Sequence, residues 1–133
     1  MDASPGQVTE TGESCQPLHV LLADDEPTIV ALLRRLLERR GHRVRTAATA
    51  EQAIGLVESH RFDAVLVDLR MPGGGMTVVA RLRGDDSFHG RIVLMTGALA
   101  TDPDVEPGPG VIRLQKPFKN RDLFPLLEGD AQH

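Results

Sequence analysis

Apolar residues alternate along the chain between short continuous runs and stripes of helical spacing. Nearly continuous apolar runs at 19–23 and 64–67 are typical of strands buried on both faces of a parallel sheet. Between them, a helix is predicted to begin at Pro27, which suits a first helical position, and to end before Gly41. Its apolar face has the i, i+3, i+4, i+7, i+8 spacing and consists of Ile29, Leu32, Leu33, Leu36 and Leu37.

The rest of the chain continues this alternation of strand and helix patterns. Polar and apolar residues alternate at 43–47, as in a strand at the edge of a sheet. Thr49, followed three residues later by Gln52, forms a capping-box pattern that begins a second helix. The other predicted elements are a third helix at 76–82, a fourth strand at 91–95, a fifth strand at 111–115 and a short last helix containing Pro125.

The order of these elements predicts the fold class. Strands and helices that alternate with short connections predict an α/β fold, with a five-stranded parallel sheet and helices on both faces. We predict one domain at 18–129. Residues 1–17 are polar and are predicted to form a disordered leader, and 130–133 a short tail.

Composition narrows the classes of function. Apolar residues make up 41% of the 133 residues, enough for a packed core. No apolar run reaches the roughly 18 residues needed to span a membrane. The chain has 15 basic and 19 acidic residues, and three of the acids lie in the leader. The predicted domain is therefore nearly neutral, which argues against DNA binding by this chain. A single cysteine, Cys15, excludes an internal disulfide.

Polar residues follow the predicted strands at the points where they end. Acids occupy 24–26 after the first strand, and Asp68 ends the third. Thr96 ends the fourth strand, and Lys116 follows the fifth. Because the carboxyl ends of parallel strands meet at one edge of a sheet, we expect these side chains to lie together.

Such a cluster suits phosphoryl chemistry. Neighbouring carboxylates repel one another, and a hard divalent cation relieves the repulsion. Mg²⁺ takes few protein carboxylates and completes its shell with water and phosphoryl oxygens. Lys116 suits a phosphate oxygen, and the Thr96 hydroxyl can donate a hydrogen bond to another. The set predicts Mg²⁺-dependent transfer of a phosphoryl group to a carboxylate, with Asp68 as the nucleophile.

Four motifs resemble the signatures of a known family. They are Leu22-Ala23-Asp24-Asp25-Glu26-Pro27, Val67-Asp68-Leu69-Arg70-Met71-Pro72, Met95-Thr96-Gly97 and Gln115-Lys116-Pro117-Phe118. Each motif is weak alone, but each stands at the end of its own predicted strand. Over about 18–128 the sequence resembles the receiver domain of bacterial two-component response regulators, of the stand-alone, chemotaxis-regulator-like kind.

The resemblance implies a role for each acidic residue. Asp68 would accept a phosphoryl group from a phosphohistidine on a sensor histidine kinase or phosphotransfer protein. Asp25, Asp68 and the backbone carbonyl of Arg70 would bind Mg²⁺ directly. Asp24 would hold the ion mainly through water.

The resemblance also implies the fold in detail. The sheet would be flavodoxin-like and doubly wound, with strand order 2-1-3-4-5 and the alternating second strand at an edge. Thr96 and Lys116 would hold the phosphoryl group. The Lys116–Pro117 peptide would be cis, a state that is accessible before proline.

The sequence departs from the family's pattern in three places. The loop after Asp68 is one residue short and carries glycines at 73–75, which we interpret as extra backbone freedom. The fourth helix is expected to be degenerate, with at most two turns between 98 and 111, because prolines and glycines crowd 103–110. Arg113 stands where the family has a switch aromatic residue, and it cannot be buried like a ring without a partner.

Each candidate residue also has an ordinary structural explanation. Acids at 24–26 favour a helix N-terminus, Asp68 suits a turn, and Lys116 suits a solvated surface. The five histidines show no i, i+4 spacing of a metal site and are predicted to be structural or at the surface.

Three functions remain open on these grounds. The first is a phosphoacceptor receiver that contacts an unknown downstream protein or serves as a phosphate shuttle or sink. The second is a receiver-like scaffold that works without phosphorylation. The third, a Mg²⁺-dependent phosphatase of another doubly wound family, would need Asp-x-Asp-x-Thr, which 24–28 lacks.

Further expectations concern the setting of the protein. The chain ends at His133, which leaves no room for a DNA-binding effector. We expect a cytoplasmic protein without membrane contact. No enzymatic activity is expected beyond the domain's own phosphorylation and dephosphorylation.

Overall fold

A computed structural model of the protein describes residues 17–97 and 110–128. Three predictions therefore lie largely outside the described residues: the disordered leader at 1–17, the degenerate fourth helix between 98 and 111, and the tail at 130–133. Within the described ranges no helix is long and apolar enough to cross a membrane.

The described residues form a five-stranded parallel sheet in the order β2-β1-β3-β4-β5, as predicted. The elements are β1 (His19–Ala23), α1 (Pro27–Arg39), β2 (Arg43–Ala47), α2 (Ala50–Ser59), β3 (Ala64–Asp68), α3 (Gly75–Arg83), β4 (Arg91–Thr96), β5 (Val111–Gln115) and α4 (Asn120–Glu128). The observed bounds agree with the predicted bounds to within one residue wherever the latter were given. The doubly wound α/β fold class is therefore confirmed.

Two apolar layers cover the sheet, one on each face. Successive residues of a strand point to opposite faces, so the central strands contribute to both layers. In β1, Leu21 packs in the layer of α2 and α3, whereas Leu22 packs in the layer of α1 and α4. Both leucines are completely buried, as expected for a central parallel strand.

The start of α2 shows how a local sequence pattern fixes the conformation of the loop between β2 and α2. The Thr49 hydroxyl accepts a hydrogen bond from the Gln52 backbone N–H at 3.1 Å. The Gln52 side-chain oxygen in turn accepts from the Ala48 N–H at 2.8 Å. The predicted capping box is thus present, with its return bond made to the residue before the cap.

A cluster of charged groups fastens the end of α4 to the rest of the domain. The Glu128 carboxylate accepts hydrogen bonds from the Arg40 guanidinium and from His42 Nε2, the latter at 2.8 Å. His42 Nδ1 accepts from the Leu18 backbone N–H at 3.0 Å, and its side chain is fully buried. One histidine therefore joins the start of the described domain to its end.

The glycine loop after β3 has a more specific role than the backbone freedom inferred from the sequence. Gly73 and Gly74 adopt positive φ angles of 88° and 86°, which side chains other than glycine disfavour. At Gly75 the constraint is space, because a Cβ atom there would lie 2.3 Å from the Asp68 carbonyl oxygen. The loop is also tied back by a hydrogen bond of 3.0 Å from the Gly75 N–H to the Leu69 carbonyl.

The close approach at Gly75 predicts the effect of a methyl group. Gly75→Ala should lower the free energy of unfolding by about 1–3 kcal/mol, because the new Cβ meets backbone that cannot move without disturbing β3. Gly55→Ala in α2 is the matched control, since a Cβ atom there would meet no other atom within 4 Å and alanine favours a helix by about 1 kcal/mol. Urea unfolding measures both, and equal stabilisation by the two substitutions would contradict the packing account.

Candidate functional site

The candidate site lies at the carboxyl edge of the sheet, where the topology was predicted to gather it. Asp24 follows β1, and Asp68 and Thr96 are the last residues of β3 and β4. These three side chains are buried, with exposed fractions of 1%, 7% and 4%. Asp25 is exposed, and Lys116, just after β5, is half-buried.

Three of the acids converge. One carboxylate oxygen from each of Asp24, Asp25 and Asp68 lies within 4.8 Å of the other two. All three donors are hard oxygen atoms, the ligand type that Mg²⁺ prefers, and Asp25 opens toward solvent where further ligands can enter. The donor set therefore fits a magnesium ion.

Lys116 reaches this cluster from the loop that follows β5, an edge strand of the sheet. Its Nζ lies 3.2 Å from Asp24 Oδ2 and 3.5 Å from Asp68 Oδ1. The Lys116–Pro117 peptide is cis, as predicted. The Lys116 backbone N–H donates to the Thr96 carbonyl at 2.7 Å, which continues the ladder between β4 and β5 into the loop. The ammonium group can therefore reach either carboxylate.

The electrostatics of the site follow from this crowding. Burial raises the pKa of Asp68, and the neighbouring Asp24 carboxylate raises it further, while Lys116 opposes the rise. Burial by itself would lower the pKa of Lys116, but the Asp68 and Asp24 carboxylates outweigh it and raise that pKa. The cluster thus holds more negative charge than its single ammonium group offsets.

Arg70 and Thr96 are the remaining residues of the predicted site, and the structure shows where each of them lies. The Arg70 backbone N–H faces Asp68 Oδ1 at 3.4 Å, a long contact for a hydrogen bond. The Arg70 side chain is exposed, and Thr96 is buried beside the β5 end. The metal-binding role of the Arg70 carbonyl and the phosphoryl-binding role of the Thr96 hydroxyl stay predictions.

A cavity beside the acids was not predicted from the sequence. It measures about 240 Å³ and is lined by Asp24, Asp25, Pro27, Val30, Thr46, Ala47, Ala48 and Gln52. The residues after β1 and those after β2 lie together because the two strands pair in a register that sets Ala23 opposite Ala47. The Asp24 N–H extends this pairing by donating to the Ala47 carbonyl at 2.9 Å. The capping-box pattern marked Gln52 only as part of the start of a helix, and the strand register placed its side chain beside the acids.

Arg113 lies on β5 opposite Leu94, three residues before Lys116. Its side chain is exposed, which agrees with the expectation that a guanidinium is not buried in this position. The neighbouring Leu114 is buried, so the strand keeps its inward packing without an aromatic ring at 113.

Comparison with known sequences identifies the domain. The family described as the response regulator receiver domain matches residues 20–128. The chain is 35% identical over 112 residues to the transcriptional regulatory protein TcrA of Mycobacterium tuberculosis, covering 83% of this chain and 44% of that protein. It is 37% identical over 117 residues to the response regulator GtcR of Aneurinibacillus migulanus, covering 85% and 47%. The chain thus spans less than half the length of these relatives.

Solved structures agree with the sequence comparison. A response regulator receiver protein from Sinorhizobium medicae superposes with a TM-score of 0.77 at 27% identity, covering 86% of this chain and 94% of the other. The receiver domain of a sensor histidine kinase from Pseudomonas aeruginosa, solved with a magnesium ion coordinated in its active-site cleft, gives a TM-score of 0.76 at 28% identity, covering 86% and 97%. The chain belongs to the family of response regulator receiver domains, the signal-receiving modules of two-component systems.

Proposed function

We propose that this domain accepts a phosphoryl group on Asp68 from the phosphohistidine of a sensor histidine kinase or a phosphotransfer protein, in the cytoplasm. The observation that carries the proposal is the convergence of Asp68 with two further carboxylates and one ammonium group at the carboxyl edge of the sheet. A scaffold that works without phosphorylation would have no need of this electrostatically costly arrangement.

Mg²⁺ is the proposed cofactor. Asp24, Asp25 and Asp68 would hold it, with the Arg70 carbonyl as a further ligand and Asp24 acting mainly through water. When bound, the ion neutralises the carboxylates and the charge of the arriving phosphoryl oxygens. The magnesium-containing receiver from Pseudomonas aeruginosa supports this assignment by likeness.

The transfer itself is a displacement at phosphorus. A carboxylate oxygen of Asp68 forms the new P–O bond, and the P–N bond to the donor histidine breaks with its electron pair returning to the imidazole. Lys116 is already within 3.5 Å of Asp68 and can hold a phosphoryl oxygen there. The Thr96 hydroxyl would donate to another oxygen. Water attack on the same acyl phosphate returns Asp68, so the domain would also catalyse its own dephosphorylation.

The downstream step is a protein contact. In the transcriptional regulatory protein from Mycobacterium tuberculosis, the matched region is only 44% of the molecule. We propose that the receiver passes its state to an unidentified protein, or acts as a phosphate shuttle or sink, without binding DNA or membrane itself.

Phosphorylation of Asp68 can be tested with a small donor. Incubated with acetyl phosphate and Mg²⁺, the protein should gain one phosphoryl group by intact mass, and chelation of Mg²⁺ should prevent the gain. Asp68→Asn should abolish it because the amide lacks the nucleophilic oxygen. Asp86→Asn, which changes an exposed acid in the loop after α3, is the matched control and should be phosphorylated like the wild type. Unchanged phosphorylation of the Asp68 variant would refute the assignment, and an unmodified wild type would favour the scaffold function.

The raised pKa of Asp68 predicts how stability depends on pH without Mg²⁺. The folded state holds the Asp68 proton more tightly than the unfolded chain, so the free energy of unfolding should fall as the pH rises through this titration. Asp68→Asn should flatten that fall and be more stable than the wild type at about pH 7 in a chelator. Saturating Mg²⁺ should stabilise the wild type more than the variant. Urea unfolding over a pH series checks both, and a variant that is less stable at every pH in the chelator would contradict the repulsion.

Arg113 predicts an unusual response to phosphorylation. With Mg²⁺ and beryllofluoride as phosphoryl mimic, its guanidinium should stay exposed, because burying it unpaired would cost several kcal/mol against the roughly 1–3 kcal/mol of a typical coupling. The amides of 73–75 and Gly97, close to the site, should change instead. Hydrogen exchange and the Arg113 Nε–H signal measure both. Slower exchange of the Arg113 Nε–H, with unchanged exchange of the amides at 73–75, would show that the side chain swings inward after all.

A further inference from the structure

Two histidines meet at the amino edge of the sheet, opposite the acidic site. His19 begins β1, and His60 caps the end of α2. Their ring centroids are 6.2 Å apart with an interplanar angle of 84°, and both rings pack near Phe62. Both side chains are partly exposed. The sequence separation of these residues gives no hint of the pairing, because the fold alone brings the start of β1 beside the end of α2.

Hydrogen bonds fix which nitrogen of the His19 ring carries the proton. His19 Nδ1 lies 2.8 Å from the Arg61 carbonyl oxygen, which can only accept. Nδ1 is therefore the donor. In the neutral ring Nε2 then carries a lone pair.

A hydroxyl group contacts His60 in a similar way. Ser59 Oγ lies 2.9 Å from the Gly55 carbonyl oxygen and 3.0 Å from His60 Nδ1. With the Ser59 proton on the carbonyl, the hydroxyl accepts from His60 Nδ1, and His60 Nε2 then presents a lone pair. Among the described residues neither Nε2 atom has a hydrogen-bond partner.

This arrangement is the one that metal-binding histidines use. A ligating imidazole typically donates its second ring nitrogen to a carbonyl or other acceptor, which holds the ring and its tautomer in place. The Arg61 carbonyl and the Ser59 hydroxyl fill that role here. A zinc ion about 2.0–2.1 Å from each Nε2 would put two ring centroids roughly 5–6 Å apart. The observed separation of 6.2 Å lies just above this range, so the partly exposed rings would have to shift toward each other when an ion binds.

We propose that His19 and His60 form a second metal site, selective for a borderline divalent ion such as Zn²⁺ and completed by water. Imidazole nitrogen suits Zn²⁺ or Cu²⁺, whereas the carboxylates at the opposite edge suit Mg²⁺, so the two sites select different ions. A bound ion would tie the start of β1 to the end of α2 and stabilise the folded domain. The proposal is independent of phosphorylation at Asp68.

The experiment uses the full chain without an affinity tag, in saturating Mg²⁺ so that the acidic site is occupied. Calorimetric titration with Zn²⁺ should show one site and a rise in the melting temperature. His60→Gln and His19→Gln should each weaken Zn²⁺ binding by about tenfold or more, because each removes a ligand. His89→Gln, an exposed histidine in the loop before β4, is the matched control and should bind like the wild type. Cys15 is retained throughout, so any contribution from its thiol is the same in every variant.

A spectroscopic experiment distinguishes direct binding of the metal ion by the histidines from an indirect effect on the stability of the domain. The electron spin echo signal of bound Cu²⁺ should report two imidazoles in the wild type and one in His60→Gln. Ser59→Ala, which removes only the group that orients His60, should weaken Zn²⁺ binding by about tenfold while keeping both imidazoles. Binding by His60→Gln equal to that of the wild type, or equal losses in the His89 variant, would overturn the proposal.

Discussion

Repulsion among three carboxylates is the constraint on which the rest of this site depends. Asp24, Asp25 and Asp68 place oxygen atoms within 4.8 Å of one another, and two of the three are buried. Like charges this close raise the free energy of the folded state unless a cation lies among them. Lys116 supplies one positive charge, but burial and the neighbouring Asp24 carboxylate nevertheless keep the pKa of Asp68 above its ordinary value. The cleft therefore favours a further cation and, with it, an anionic group such as phosphoryl.

The sheet maintains this unfavourable cluster through its backbone. Each loop that carries a site residue is bonded to the end of a neighbouring strand: the Asp24 N–H to the Ala47 carbonyl, the Leu69 N–H to the Met95 carbonyl, and the Lys116 N–H to the Thr96 carbonyl. The parallel ladder thus extends past the last residues of the strands and into the site. Because these bonds involve only backbone, side chains at the edge can be chosen for chemistry and not for stability.

The two edges of the sheet present different chemistry to solvent. At the carboxyl edge are buried carboxylates, which suit hard ions and phosphoryl groups. At the amino edge are imidazoles whose protons are engaged by neighbouring oxygen atoms, and a buried histidine, His42, that joins Leu18 to Glu128. The charged cluster of Arg40, His42 and Glu128 therefore fixes the end of α4. The loop before α4 carries Lys116 into the acidic site.

The sequence by itself determined the order of strands and helices, nearly all of their bounds, and the edge at which Asp24, Asp68 and Lys116 meet. These features depend on periodicity and capping, which are local, and on the rule that carboxyl ends of parallel strands converge. Only the tertiary structure decided contacts such as Arg40 with Glu128, 88 residues apart, and His19 with the Arg61 carbonyl, 42 residues apart. It also decided that Gly75 must lack a side chain, because the close approach to the Asp68 carbonyl arises from packing between β3 and the following loop. No local pattern encodes these contacts, since each depends on how whole elements pack against one another.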